Sequence, residues 1–316
     1  MLAAGDKDEA ALHEPVVQAL PDAALAELRA ARLTALLARA RAASASRYAG
    51  VNGTLAAHAV LTGAELATEV DAHPPFGRLQ LDAAPLIRAG LASAAVPHPT
   101  PIAWTRADLD AEAQLGARAL RRAGLRPHAR SSDCLDGGLV TPGTLAITDA
   151  LDALDALALP VGPVTGDAAL QRAAEVWEVV RPAMLIVDAP SLAFLYAAAA
   201  YPRPRAFAAL LTPADAAALA APPRMGVQRI LSVPPVGTFV AGECRAQDGY
   251  HVAEDAVLAE VVDGSGAALR DGTAGRLLLT ALIRSLALLR FDTGLHAALD
   301  RSPCRCGETH ARLRFA

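Results

Sequence analysis

The chain has 316 residues, enough for one large or two medium domains around a substantial core. Hydrophobic residues make up 53% and charged residues 20%, which excludes an intrinsically disordered chain. A net charge of −4 and only 4% aromatic residues argue against a nucleic-acid or anionic-membrane surface, which needs clustered cations or stacking rings.

Asp6, Asp8 and Glu9 stand where an export signal needs an apolar run, so a cytoplasmic protein is expected. In such a setting the four cysteines read as thiols or metal ligands rather than disulfides. Asp22 is positioned to cap a helix whose leucines at 25, 28, 33, 36 and 37 share one broad face. The arginines scattered along the helices read as solvated faces. Thr105–Asp108 is a capping-box start, and the helix it opens should end at Gly124.

LDALDALAL, Leu151–Leu159, fits an amphipathic helix, and Ala158–Val161 a short strand. Asp167 then caps a helix to about Val180, Arg181–Pro182 ends it, and Met184–Val187 is a compact apolar strand. Strands alternating with helices indicate an α/β sheet with crossover connections. The run Leu192–Tyr201 is too short for a bilayer, and Leu277–Leu289 is interrupted by Arg284. The character changes after about Arg224. Val257–Val262, Arg276–Leu282 and Ala287–Phe291 read as strands, punctuated by Gly264–Ser265–Gly266 and Asp271–Gly272. The expected division is an α/β body over residues 1–225 and a β-rich subdomain over 226–316.

Seven blocks occur in an informative order: PTPIAWTRADL, GLVTPG (138–143), VAGEC (240–244), DGYHVAED (248–255), DGTAGRLLLTAL (271–282), LRFDTG (289–294) and PCRCGETH (303–310). As an ordered set they resemble the phenylacetate–CoA ligase family of the adenylate-forming superfamily. The resemblance implies the large N-terminal domain of those enzymes, α/β layers with a β-rich subdomain. It also implies a lineage that activates an aryl or acyl carboxylate with ATP and passes it to coenzyme A.

The nucleotide-handling residues of that family do not carry over. Its phosphate loop corresponds to Ala92–His98, ASAAVPH, with no glycine to free converging N–H groups and His98 in place of a lysine. Pro97 removes one donor outright. The Tyr-Gly-x-x-Glu segment, which lines adenine and supplies a glutamate for magnesium, corresponds to Ile230–Pro234. The ribose-holding aspartate corresponds to Leu295; Asp292 would replace it only by a strand slip that flips side chains to the other face. The lysine-bearing C-terminal lid domain is expected to be absent, since residue 316 falls about where it would begin. Each lost charge-assisted contact costs about 1.5–3 kcal/mol, against about 8 kcal/mol for a micromolar ligand, so ATP use is not expected.

A metal-binding feature of the family is kept. Cys244 and His251 on one segment, with Cys304 and Cys306 near the C-terminus, supply three thiolates and an imidazole, a set suited to structural zinc. His310 is the alternative nitrogen ligand. The plain alternative is a pair of buried thiols beside a surface histidine.

Other chemistry is thinly supported. His98 and Cys134 are the candidate catalytic groups, although Asp133 and Asp136 beside Cys134 would raise its pKa. Ser191 lacks a nucleophile elbow but matches a family turn that lines the carboxylate cleft. The expected cleft therefore includes Gly138, Thr141, Gly143, Pro190 and Ser191. The leading expectation is a degenerate relative that binds an aryl or acyl group, or serves a carrier protein, another biosynthetic enzyme or a second copy. The alternatives are an ATP-independent enzyme acting on a thioester, and a ligase completed by a partner chain.

Overall fold

A computed structural model gives the fold and describes residues 12–43, 46–81, 84–137 and 140–316, with Val140 and Thr141 as backbone only. The N-terminal part is helical: a short α1 (Pro15–Gln18), then α2 (Asp22–Ala42) and α3 (Gly63–Ala72). Asp22 does not cap α2. Pro21 is the capping residue, and Asp22 occupies the first helical position, where a carboxylate favours the helix dipole. Leu25, Leu36 and Leu37 are buried, whereas Leu28 and Leu33 are half-buried.

A hairpin of β1 (Leu86–Ala92) and β2 (Thr100–Thr105) follows, extended by β4 (Val140–Thr141) into a small sheet of order β2-β1-β4. β2 leads directly into α4 (Arg106–Arg122), whose capping box is formed as the sequence predicts. The Asp108 N–H donates to Thr105 Oγ1 (3.2 Å) and the Thr105 N–H to Asp108 Oδ2 (2.8 Å). Gly124, at φ +104°, takes the left-handed turn after the helix.

The crossover region contains β3 (Arg130–Cys134), α5 (Thr144–Ala153), β5 (Leu157–Pro160), α6 (Asp167–Val180), β6 (Met184–Val187), α7 (Ala189–Ala197), β7 (Ala206–Leu211) and α8 (Ala216–Ala220). Asp167 is again inside its helix, after Gly166 as the cap. The helix expected over 151–159 stops at Ala153. Asp155 turns the chain with φ +53°, and Leu157–Leu159 continue as strand.

The remaining strands are β8 (Val227–Val233), β9 (Gly237–Glu243), β10 (Tyr250–Val252), β11 (Val257–Val262), β12 (Gly275–Ala281), β13 (Phe291–Asp300) and β14 (Arg312–Phe315). The expected strand over 287–291 begins only at Phe291. The Ala287 N–H goes to Leu79 O (2.8 Å) and the Arg290 N–H to the Thr280 hydroxyl (2.9 Å), outside a ladder.

One sheet of eleven strands runs β11-β12-β13-β14-β10-β9-β8-β7-β6-β3-β5. Pairing is parallel from β5 through β8 and antiparallel beyond it. The switch falls between β8 and β9, beyond the change of character read at about Arg224, since β8 still pairs parallel with β7. Both faces of the parallel part are covered, as crossover topology requires. Leu185 and Val187 of β6 join one core cluster, and Met184 and Ile186 the other. α4 and α5 pack where Gly116 leaves no room for a methyl group: a Cβ there would lie 2.4 Å from Ala150 Cβ.

The solvated-face reading of the arginines fails for several. Arg118, Arg121 and Arg122 of α4 are buried, as are Arg229, Arg284, Arg290 and Arg312 outside the helices; Arg118, Arg122 and Arg284 reach carboxylates 137, 186 and 172 residues away. A guanidinium tolerates burial when forked hydrogen bonds replace its water. Arg229, for example, donates to both oxygens of Glu243, through Nε at 3.0 Å and Nη2 at 2.6 Å.

Candidate functional site

The four expected metal ligands converge. β9 ends one residue before Cys244, and its antiparallel pairing with β10 sets His251 opposite Gly242. β14 lies beside β10, so the β13–β14 connection delivers Cys304 and Cys306 to the same end. The ligand atoms of all four residues lie within 4.8 Å of one another. Cys244 Sγ is 3.7 Å from Cys304 Sγ, and Cys306 Sγ is 3.4 Å from His251 Nε2. Zinc–sulfur bonds of about 2.3 Å and zinc–nitrogen bonds of about 2.0 Å give tetrahedral edges of about 3.8 and 3.5 Å, so the donors are spaced to hold a metal ion.

The surroundings favour that use. His251 Nδ1 lies 3.1 Å from the His310 carbonyl, which makes Nδ1 the protonated nitrogen and leaves Nε2 facing the sulfurs. His310 itself is not in the cluster. Its ring nitrogens face the Val252 carbonyl (3.0 Å) and the Val17 carbonyl (3.2 Å), tying α1 to the sheet. The thiols share their protons unevenly: hydrogen bonding from Cys306, reinforced by His251, pulls the Cys244 thiol down, while the same contact with Cys244 and burial push Cys306 far up. Burial pulls His251 down, but its contacts with Cys244 and Cys304 outweigh it and hold the imidazole up at about 9. Behind the cluster, Glu308 accepts two hydrogen bonds from Arg122, at 2.7 and 2.6 Å. Cys304-x-Cys306 thus hangs between a sheet and a buried ion pair, with no water position in a four-donor set.

The second region lies at the C-terminal ends of the parallel strands, where ligands of such sheets bind. Cys134 is wholly buried. Burial, with Asp133 and Asp188 nearby, pushes its thiol far up, an environment that opposes thiolate formation. Ser191 is equally buried; its hydroxyl accepts from the Val164 N–H (3.2 Å) and lies 3.5 Å from the Cys134 carbonyl. Its own N–H is capped by Asp188 (2.8 Å), next to the exposed Pro190. Gly143 caps α5, and Thr144 beside it donates to Asp133. Burial holds the Asp133 carboxyl above the usual range. Gly143, Pro190 and Ser191 therefore gather at one end of the sheet. Gly138 and the Thr141 side chain lie outside the described residues. Sequence reading named Asp133 only as a neighbour of Cys134 and missed its partner Thr144, because the two are eleven residues apart and no local motif joins them.

The nucleotide-side positions are also placed. In the β1–β2 loop Ala94 is buried and Ala95 takes φ +62°. The loop packs on the start of α3: a Cβ on Gly63 would sit 1.8 Å from the Ala95 carbonyl oxygen. His98 is exposed and its Nε2 lies 3.3 Å from Asp71. Ile230–Val233 are buried in β8, and Pro234–Pro235 form the turn into β9. Leu295 is buried, whereas Asp292 points to the opposite face of β13 and pairs with Arg276 (2.6 Å).

The fold is the large N-terminal domain of adenylate-forming enzymes. It matches 2-hydroxyisobutyryl-CoA ligase in its open form, solved with 2-HIB-AMP and CoA, with a TM-score of 0.82 and 19% identity over 99% of this chain and 74% of that one. The thioesterification state of the same ligase matches with a TM-score of 0.77, covering 95% of this chain and 69% of that one. No family model matches the chain. In sequence it is 30% identical over 263 residues to a phenylacetate–coenzyme A ligase of Thermus thermophilus, which covers 78% of this chain. The chain is thus a homologue of phenylacetate–CoA ligase. It spans 57% of the length of that relative. Among the described residues no helix is long and apolar enough to cross a membrane.

Proposed function

We propose that this chain keeps the acid-binding body of its family without adenylating its ligand. In this reading it serves as a binding or partner subunit for an aryl or acyl group, steadied by a structural zinc ion at Cys244, His251, Cys304 and Cys306. One observation carries it: three places that would hold nucleotide charge present apolar or conformationally closed residues. Ala94–Pro97 offer no cation, Pro234 no carboxylate, and Leu295 is buried with Asp292 turned away. ATP use is where this reading departs from the ligases that the chain resembles.

Two further points support it. Asp133 is committed to Thr144 and the Leu135 N–H, and the Ser191 hydroxyl to the Val164 N–H and the Cys134 carbonyl, which suits a wall better than a reacting centre. Moreover, His98 and Cys134 are engaged separately, the first by Asp71 and the second by burial, so an ATP-independent thioester enzyme gains no nucleophile–base pair from them. The deciding experiment is ATP–pyrophosphate exchange on the pure chain with a panel of aryl and fatty acids. No exchange above background is expected, together with saturable binding of at least one acid or thioester. Robust exchange would overturn the proposal.

A further inference from the structure

The opposite end of the parallel strands holds a depression of about 760 Å³. It opens where β3, β6 and β7 begin, away from Asp133 and Ser191, and its wall includes His128, Arg130, Arg181, Arg203 and Arg205 around buried Trp177. Glu178 is the only acidic residue in the wall.

Many guanidinium groups elsewhere are tied to carboxylates, as in Arg122–Glu308, Arg229–Glu243 and Arg312–Asp300, while others such as Arg41 and Arg305 reach carbonyls. Among the described residues, Arg130, Arg181, Arg203 and Arg205 form no such pair. Arg181 Nε reaches the Glu178 carbonyl (3.4 Å), and Arg203 donates through Nη2 to the Ala198 carbonyl (3.0 Å) while its guanidinium lies 5.0 Å from the Tyr201 ring centroid. Four unneutralised cations in one concavity repel one another, and the overall charge of −4 does not relieve that locally.

The backbone adds a separate observation. His128 and Arg181 take left-handed conformations, φ +60° and +50°, which favour glycine or asparagine. Arg181 occupies the position after α6 where glycine is the usual choice. A charged side chain stands at a position that glycine usually fills, in a wall shared with three more arginines.

We propose that this depression is a binding site for a small phosphate-bearing anion. Planar guanidinium forks match phosphate oxygens two at a time, several can share a diphosphate, and the volume falls in the range of small-molecule pockets. The site is independent of the acid-binding end of the sheet and of the function proposed for it.

The test uses inorganic pyrophosphate and the full chain in a calorimetric titration. Saturable binding at one site is expected. Arg181→Gly should weaken it at least about tenfold, the loss of a charge-assisted hydrogen bond, while leaving thermal stability unchanged or raised because the turn relaxes. Arg130→Gln with Arg205→Gln should weaken it further, and Arg224→Gln, whose guanidinium stacks on Tyr196 outside the depression, should not. Absence of saturable binding overturns the proposal. So does wild-type affinity in the Arg181 and Arg130/Arg205 variants, which would place the anion elsewhere, or an equal loss in the Arg224 variant. A measurement without variants is arginine modification by phenylglyoxal, mapped by mass spectrometry. Pyrophosphate should protect Arg130, Arg181, Arg203 and Arg205, and failure to protect them overturns the site.

Discussion

Cys244 and Cys304 stand 60 residues apart in sequence, yet their sulfurs approach to 3.7 Å, the edge of a zinc–thiolate tetrahedron rather than a disulfide. β10 and β14 are neighbours in the sheet, so this approach follows from strand order. The purified chain should therefore carry about one zinc ion, read by elemental mass spectrometry. Cys306→Ser should release it and lower unfolding stability by on the order of 4 kcal/mol, as loss of a metal does. A metal-free chain of undiminished stability would refute the assignment.

Cys134 is wholly buried, with its thiol pushed up by burial and then by Asp133 and Asp188. Iodoacetamide at mildly alkaline pH should leave it unmodified in the native chain and alkylate it once urea unfolds the protein. Peptide mapping reads the difference. Rapid native alkylation would mean that this end of the sheet opens far more readily than its packing indicates.

Acid should destabilise the fold through Glu254 and Asp255. Burial pushes Glu254 up, but Arg301, the Ala311 N–H and Arg29 outweigh it and hold the carboxyl below the usual range; for Asp255 the outweighing partner is chiefly Arg118. Because the folded values lie below the unfolded ones, about 4.3 and 3.9, this stability is complete above those values. It is lost as pH falls through the depressed folded values. Urea midpoints should decline below about pH 4, and Glu254→Gln should be less stable at neutral pH with a shallower acid decline. An unchanged acid slope in the variant would contradict this account.

Gly116→Ala gains helix propensity of about 1 kcal/mol but places a methyl group 2.4 Å from Ala150 Cβ and 2.6 Å from Phe239 Cε2. Ala150 Cβ has no rotamer with which to yield. The clash should win, with a net loss of about 1–3 kcal/mol in denaturant unfolding. Equal or higher stability would mean that α4 and α5 adjust their separation freely.

Local signals were the legible ones. The Thr105–Asp108 box and the span of α6 up to Arg181 follow from neighbouring residues, and the structure contains both. The cysteine–histidine set was legible as a group, and its four residues do converge, because few residue types occur in such a combination. What escaped reading depended on partners far along the chain. Arg118 and Arg122 look like solvent-facing arginines until Asp255 and Glu308 arrive, 137 and 186 residues away. Asp155 ended the helix over 151–159 through a positive φ that no Gly or Pro announced. Ala287–Arg290 have the composition of a strand, but their N–H groups bond to Leu79 and Thr280 instead. The depression around Arg181 left no trace at all, since its cations come from three separate connections.

The pairing of β7 with β8 has a mechanical consequence. The sulfur cluster and the Ser191 end hang from one ribbon of peptide hydrogen bonds, whose register shifts between Leu231 and Val233, where β8 meets β9. A bulge bends its strand and sharpens the local twist, so displacing one end relative to the other would concentrate strain at that step.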